Sequence, residues 1–448
     1  MSATGWSLVE AFGLGSPGQL AAIVGGGGKS SLMFALAERL PGRVIMTTTT
    51  RIFATQMKAA PAALIASQPD PARWPELSQC LARHGRCLVT GPVQGDKATG
   101  LDVDLPGRLL ARPDVDYVLV EADGSRMRPV KAPAEHEPAI PPASTLVVPA
   151  AGIDALDGPI EQVAHRPALV AALTALGLQD RLAPDSLARL LTHPSGGLKA
   201  VPGQARVIPM LNKVESEPQW LAARQTAQTM LRSRRVERVV LGALRRAGSA
   251  VEVHSRVTAV VLAAGESKRM GQTKQLMPWG ETTILGQTLA TLSASLVHDV
   301  LVVTGYQGQA VAQVAAEAGL KTVHNPGYAA GMLSSLQVAV GALPEDRAAI
   351  LVVLADQPML APATVDAILA AYWRGEGSLV APQYKGRRGN PVLIDRRHFE
   401  ALLALPAGAA PRDLLRRHPQ ALHLAPVDDP AVLRDLDELQ DYQRWRPR

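Results

Sequence analysis

The sequence predicts an α/β protein of two domains, each a mostly parallel sheet with helices on both faces. Three observations predict it. Short apolar, β-branched runs alternate with helical stretches along both halves of the 448 residues, the pattern of strands covered on both faces. The loops richest in glycine and charge directly follow those runs, where ligands bind on open α/β sheets. The stretch "RRAGSAVEVHSR" near 245–256 is polar and holds glycine and serine, as a boundary would. The chain is therefore expected to divide into residues 1–248, a linker 249–256, and residues 257–448, since this length exceeds one ordinary core.

In the first half, "LAAIV" (20–24) reads as a strand, followed by a glycine loop and the helix "SLMFALAERL". "RVIMTTTT", "CLVTG", "DYVLVEADG", "STLVVPAAG" and "RVIPMLNKV" continue the strand series. The loop "VGGGGKSS" is P-loop-like: Gly28, Lys29 and Ser30 match the end of G-x-x-x-x-G-K-[ST], but Ile23 stands at the leading glycine. Gly25, Gly26, Gly27 and Gly28 together are entropically costly on folding, which favours a backbone cradle for phosphate at a helix start over a flexible connection. "YVLVEADGS" resembles a Walker B strand, its Glu121 and Asp123 placed to hold a metal or polarise a water, with Asp123 the candidate ligand. In "LNKVE", Asn212 and Lys213 resemble a guanine-reading N-K-x-D loop, with Glu215 where Asp is usual. The segment "EADGSRMRPVKAPAEHEPAIP" reads as a site loop, dense in charge among prolines, with His136 a candidate. The threonines of "TTTTRIF" fit either a site with Arg51 or ordinary β-propensity.

In the second half, "VTAVVLAAG", "DVLVVTGY", "TVHN", "AAILVVLADQP" and "GSLVAPQY" are the expected strands. After the first comes "LAAGESKRMGQTKQ". Ala263, Ala264 and Gly265 let backbone approach a ligand, and Arg269 and Lys274 supply cations suited to a triphosphate. A dinucleotide fingerprint is excluded, because only Gly265 and Gly271 of a G-x-G-x-x-G are present. A helix cap with incidental basic residues is the other reading. Asp356 ends the strand "AAILVVLADQPML", where a carboxylate can bind Mg²⁺ and neutralise a triphosphate and its pyrophosphate leaving group.

Composition narrows the function classes. Apolar residues at 47% with 19% charged describe a globular chain. The net charge of +6 comes from scattered basic doublets with few aromatics, which argues against a nucleic-acid surface. The longest apolar runs are too short for a membrane span, and the start lacks a cationic signal region. Cys80 and Cys87 make no disulfide framework or zinc pattern. A cytoplasmic protein without nucleic-acid or membrane partners is the expectation. Only ten of the 46 basic residues are lysines, and Lys29, Lys131, Lys213 and Lys274 fall inside these motifs.

"GGGGKSSLMFALAERL", "TTTTRIF" and "EADGSRMRPVKAPAEHEPAIP" resemble the selenium-dependent hydroxylase accessory (YqeC-like) family over roughly residues 7–245. That resemblance implies a role in maturing molybdenum hydroxylases without naming its reaction, while the glycine loop and the Walker B-like strand add the expectation of a second nucleotide in this domain.

"VVLAAGESKRMGQTKQLMPWG", "NPGYAAGMLSSL", "VVLADQPML", "RRGNPVLI" and "DLDELQDY" occur in one order from about Val257 to Tyr442. Together they resemble the molybdenum cofactor cytidylyltransferases of the MobA-like group, which implies a Rossmann-like nucleotidyltransferase fold. The resemblance implies that Leu262, Ala263, Ala264 and Gly265, with the following loop, hold CTP, with Arg269 and Lys274 on its phosphates. It implies Asp356 as the Mg²⁺ ligand, with Asp435 or Asp437 as a second, the acidic tail otherwise being a solvated helix start. It implies that "GMLSSL", with Gly331, Ser334 and Ser335, and "GNP", with Gly389 and Asn390, line the acceptor side. The paired alanines are the form associated with cytidylyl transfer. The implied reaction moves CMP from CTP to molybdopterin, releases pyrophosphate, and serves an apo molybdenum hydroxylase as partner. The alternatives are a transferase acting on a sugar or polyol phosphate, and a non-catalytic chaperone or insertase of the molybdenum cofactor.

Overall fold

The computed structural model describes residues 5–66, 70–71, 74–246, 251–267, 270–406 and 408–447. The chain divides into two compact units, Gly5–His254 and Ser255–Arg448.

The first unit is built on the strand Gln19–Gly25, paired in parallel with Tyr117–Glu121 on one side and Leu146–Gly152 on the other. Outward from Tyr117–Glu121 the sheet continues through Val44–Thr48 and Arg86–Thr90 to Ala63–Ile65. In the other direction it runs through Met210–Asn212 and Val239–Leu241 to Glu252–His254. All of these ladders are parallel except the last. The strand side chains alternate between two cores, as a period of two requires. Ala21 and Ile23 pack with Met33, Leu36 and Met46, whereas Leu20, Ala22 and Val24 pack with Ile45, Val89 and Val118. This two-sided burial is why these strands read as continuous apolar runs.

The expected linker 249–256 is corrected by the strand Glu252–His254, which pairs antiparallel with Val239–Leu241. Glu252 is only 1% exposed. Its carboxylate accepts from Arg224 at 2.6 and 3.0 Å and contacts His254 at 2.9 Å. Burial raises the carboxyl's pKa, but these partners outweigh burial and hold it at about 2. The segment looked like solvated boundary because its polar residues find their partners far away in sequence. Residues 247–250 lie outside the described residues.

Among the described residues the second unit has an eight-stranded sheet. Val257–Leu262 lies between Asp299–Thr304 and Ala349–Leu354, parallel to both. Val392–Asp395 joins antiparallel to Ala349–Leu354 and to Leu379–Tyr384, making the sheet mixed at that side. Ala259 and Val261 face one core and Val260 the opposite one. Because the central strands run in parallel, their carboxyl ends share one rim, which gathers the loops after Leu262 and Leu354.

Candidate functional site

At that rim in the second unit, Lys274 begins a short 3₁₀ turn, Lys274–Leu276. Its ammonium donates to the Asp356 carboxylate, eighty-two positions later in sequence. The same nitrogen lies 3.2 Å from the Leu436 carbonyl and 3.4 Å from Asp437 Oδ1. The side chains of Lys274 and Asp356 are 16% and 13% exposed, so this contact sits in a partly desolvated setting where charge acts more strongly than in water. The C-terminal tail is held against it. Leu436 N donates to Asp356 O at 3.2 Å, and the fully buried Leu436 side chain packs with Met270, Met277, Trp279 and Tyr442.

The contact forms one wall of a cleft of about 370 Å³, which Leu262, Ala264, Gly265, Gly331 and Ser335 also line. Ala263 is fully buried beneath it and continues the parallel ladder, its N–H donating to Val303 O at 3.0 Å. Ser334 is tied to the Gly331 and Gly327 carbonyls at 2.8 and 3.1 Å, and Asn325 donates to both serine hydroxyls at 2.9 Å. The pair thus fixes the start of the helix Met332–Ala342 at the cleft edge. Gly271 is on a second, more open hollow of about 610 Å³, with Thr273, Tyr306 and Gln307. Gly389 and Asn390 do not line the cleft. A Cβ on Gly389 would meet Val432 O at 2.2 Å, and Asn390 N donates to that same oxygen at 2.9 Å. They support the backbone just before the acidic tail instead. Arg269 lies outside the described residues.

Three contributors were not foreseen from sequence. Gln275, buried at 3% exposure, donates to Gly265 O at 3.1 Å and accepts from Ser267 at 3.1 Å, bracing the loop. Tyr328 lines the cleft, and the Leu436 carbonyl receives Lys274. A glutamine directly after the motif lysine was the available signal for Gln275. A backbone carbonyl leaves none.

The donor set suits a divalent cation. Asp356 Oδ1 is buried without a hydrogen-bond partner, an unsatisfied anionic oxygen that a hard cation would satisfy. Burial, with Asp356 and Asp437 nearby, raises the pKa of Asp435, which marks a local excess of negative charge. Among the described residues no three His, Cys, Asp or Glu groups form a ready metal cage. The protein offers one or two carboxylates, as Mg²⁺ sites completed by phosphate oxygens do.

The glycine loop of the first unit is packed more tightly than a flexible connection. A Cβ on Gly25 would lie 2.3 Å from Ala150 O, and one on Gly27 would lie 2.0 Å from Gly152 N. Three of the four glycine N–H groups already have protein acceptors. Gly25 donates to Asp123 at 3.0 Å, Gly26 to Ala150 O at 2.8 Å and Gly27 to Arg128 O at 3.2 Å. Gly28 is the N-cap of the helix Lys29–Arg39, which has no side-chain cap. Lys29 turns back onto Gly25 O at 2.8 Å, with Asp123 at 3.3 Å and Glu121 at 3.7 Å. Ser30 donates to Glu121 at 2.7 Å, while burial raises the pKa of Glu121.

Asp123 is not arranged as a metal ligand. It is 2% exposed and both its oxygens are engaged, by Gly25 N, Lys29 and Lys131. Asn212 is not presented to a base. Its amide donates to Gly27 O at 2.7 Å and accepts from Leu244 N at 3.1 Å, so it ties the loop to the sheet. Lys213 pairs with Asp154 at 2.6 Å on the surface. The threonines bind backbone, Thr47 to Val89 O, Thr48 to Glu121 O and Thr49 to Ala139 O. Cys87 is a buried thiol whose pKa burial drives up, and His136 is exposed.

The MobA-like NTP transferase domain family matches residues 259–422, and the YqeC protein family matches residues 21–168. The uncharacterized protein YqeC of Escherichia coli (strain K12) is 34% identical over 224 residues, covering 49% of this chain and 85% of that protein. Molybdenum cofactor cytidylyltransferase of the same strain is 32% identical over 145 residues, covering 32% of this chain and 71% of that protein. Nicotine blue oxidoreductase of Paenarthrobacter nicotinovorans is 33% identical over 196 residues, covering 42% of this chain and 95% of that protein. With an NTP transferase domain matched over residues 259–422, the chain is a nucleotidyltransferase, and it belongs to the YqeC family through its first unit and to the MobA-like NTP transferase family through its second.

Proposed function

We propose that the second unit is a CTP:molybdopterin cytidylyltransferase, moving CMP from CTP onto the molybdenum cofactor for the maturation of molybdenum hydroxylases. The observation that carries this reading is the meeting of Lys274 with Asp356 at the cleft lined by Ala264 and Gly265. The identity to a named molybdenum cofactor cytidylyltransferase supports the choice of nucleotide and acceptor. Family membership alone does not choose the reaction, because a relative named as an oxidoreductase is equally similar.

A terminal phosphate oxygen of the acceptor attacks the α-phosphorus of CTP in line. The new P–O bond forms as the bond to the bridging oxygen breaks, and pyrophosphate leaves with that electron pair. The phosphate nucleophile is already ionised near neutral pH, so no side chain has to remove a proton. Lys274 exchanges its carboxylate partner for phosphate oxygens and meets the charge that develops there. The backbone of Leu262 to Gly265 sets the distance of the nucleotide from the strand end, and Arg269 adds charge from the same loop. Gly331 and Ser335 line the cleft facing that loop and position what is bound. Asp356, with Asp437 beside it, would hold Mg²⁺, which when bound would supply charge neutralisation for a triphosphate and its pyrophosphate leaving group.

For the first unit we propose a nucleotide or phosphate ligand at the start of the helix Lys29–Arg39, supported by Ser30 on Glu121 and Lys29 between two acids. Fusing the units raises the local concentration of one module's ligand for the other, and an apo molybdenum hydroxylase is the proposed partner. The proposed setting is the cytoplasm. No helix among the described residues is long and apolar enough to cross a membrane.

The test supplies each of the four ribonucleoside triphosphates with Mg²⁺ and, in turn, molybdopterin, a sugar phosphate and a polyol phosphate. Pyrophosphate release with CTP and molybdopterin alone is expected. Release with another acceptor, or none with molybdopterin, refutes the assignment. An Asp356→Ala protein that still binds the apo-hydroxylase and supports its activation would favour a chaperone instead.

A further inference from the structure

The residue after the strand-end carboxylate, Gln357, is 1% exposed. Its side-chain amide nitrogen donates to Asp435 Oδ1 at 2.9 Å, across seventy-eight positions, while its carbonyl oxygen is buried without a hydrogen-bond partner. A polar side chain this deep costs stability wherever it is left unsatisfied, so a reason to keep it there is needed. The tail supplies one. Asp435, Leu436 and Asp437 dock on the strand end through four contacts. Gln357 reaches Asp435, Leu436 N reaches Asp356 O, Leu436 O receives Lys274, and Asp437 lies 3.4 Å from the same ammonium. Three carboxylates, Asp356, Asp435 and Asp437, are thereby held together with one lysine among them. Repulsion among like charges works against such a tail, and the Lys274 ammonium and the Gln357 carboxamide both hold it. Asp435 Oδ1 accepts here, so its partner is the donor. A carboxamide does this without a charge that would compete with a cation for the neighbouring carboxylates.

We propose that Gln357 is a positioning residue: by gripping Asp435 it sets the tail so that Asp437 faces the cleft beside Asp356, where the two acids take a divalent cation together with the nucleotide. Asp435 acts as the handle of this device and does not touch the cation. The inference rests on the nucleotidyltransferase reading of this cleft, and its test separates the two.

The experiment uses the full chain and follows Mn²⁺ binding in the presence of CTP, without acceptor, by the loss of the free-ion paramagnetic resonance signal. In parallel, pyrophosphate release with CTP and molybdopterin is measured against Mg²⁺ concentration. Gln357→Leu is expected to weaken Mn²⁺ binding about tenfold and to raise the Mg²⁺ needed for half-maximal turnover by the same factor, with KM for CTP unchanged at saturating Mg²⁺. Asp435→Ala should reproduce this. Asp435→Asn should not, because its amide oxygen still accepts from Gln357. The Gln357→Leu/Asp435→Ala double variant should be no worse than either single change. Equal weakening by Asp435→Asn and Asp435→Ala makes Asp435 a ligand and overturns the assignment, as does a Gln357→Leu protein with unaltered Mn²⁺ binding. If Gln357→Leu does not fold, the Asp435 pair decides the matter alone. Absence of pyrophosphate release from the unmodified chain would fail the functional reading, while the Mn²⁺ titration would still decide the role of Gln357.

Discussion

Lys274→Ala is the most informative single perturbation, because that one ammonium contacts both acids and the tail. Three consequences can be worked from its surroundings. First, Asp356 loses the one cation hydrogen-bonded to it among the described residues, although its other oxygen is already unpartnered. Removing one member of a fully buried pair costs roughly 3–5 kcal/mol. Here the side chains are 16% and 13% exposed, so water relieves part of the loss and about 2 kcal/mol is expected. Second, this loss should lower the melting temperature of the second unit by about 4–8 °C, at the roughly 2–4 °C per kcal/mol typical of a unit this size. Third, the transition state loses one preorganised charge in a partly desolvated cleft. Losses of that kind amount to about 2.7–4 kcal/mol, or a 10²–10³-fold fall in kcat. The assay is CTP-dependent pyrophosphate release with molybdopterin at saturating Mg²⁺, run beside thermal unfolding of the same protein. Lys274→Arg should recover stability more fully than rate, because a guanidinium keeps the charge but does not fit the point-like contact shared by Asp356, Leu436 O and Asp437. Turnover within threefold of the unmodified protein in Lys274→Ala, with the fold intact, would refute this account of the cleft.

Asp356→Asn should reduce CTP turnover by at least a hundredfold, with the loss only partly recovered by raising Mg²⁺, as a metal titration of kcat would read. Gly27→Ala places a Cβ 2.0 Å from Gly152 N on a residue with φ of 70°, so a loss of about 3 kcal/mol or more is expected in the first unit. Thermal unfolding followed in the first unit should shift downward while CTP turnover is retained. Acid should also loosen the first unit through Glu137. Burial raises that carboxyl, but hydrogen bonds from Arg166 and Lys131 and their charges hold it at about 2, well below the usual glutamate value of 4.5. A carboxyl with its folded pKa lowered stabilises above the unfolded value, and that contribution disappears as pH falls from about 4.5 towards 2. Allowing for solvent screening it is on the order of 2 kcal/mol. Glu137→Gln should flatten the pH dependence of unfolding in that window, measured by denaturant titration at each pH.

What could be read before folding was what depends on neighbours in sequence. Runs such as "LAAIV" and "AILVVL" announce strands covered on both faces, because each residue's environment repeats every two positions. Small residues and cations after "VTAVVL" announce a phosphate loop, because backbone access and charge are local properties. Asp356 at a strand end was legible for the same reason. The linker was misread because Glu252 and His254 look solvated until Arg224 and Gln228 are brought beside them. Asn212 looked like a base reader until the sheet order placed it against Gly27. The four glycines looked open until Ala150 and Gly152 filled the space next to them. By itself the sequence determined two units with mostly parallel sheets and the chemical character of their loops. Only the tertiary structure decided which groups meet, because the Lys274 contacts with Asp356 and Asp437 span 82 and 163 positions. Such encounters follow from the order of strands in a sheet, a property that no local window of residues contains.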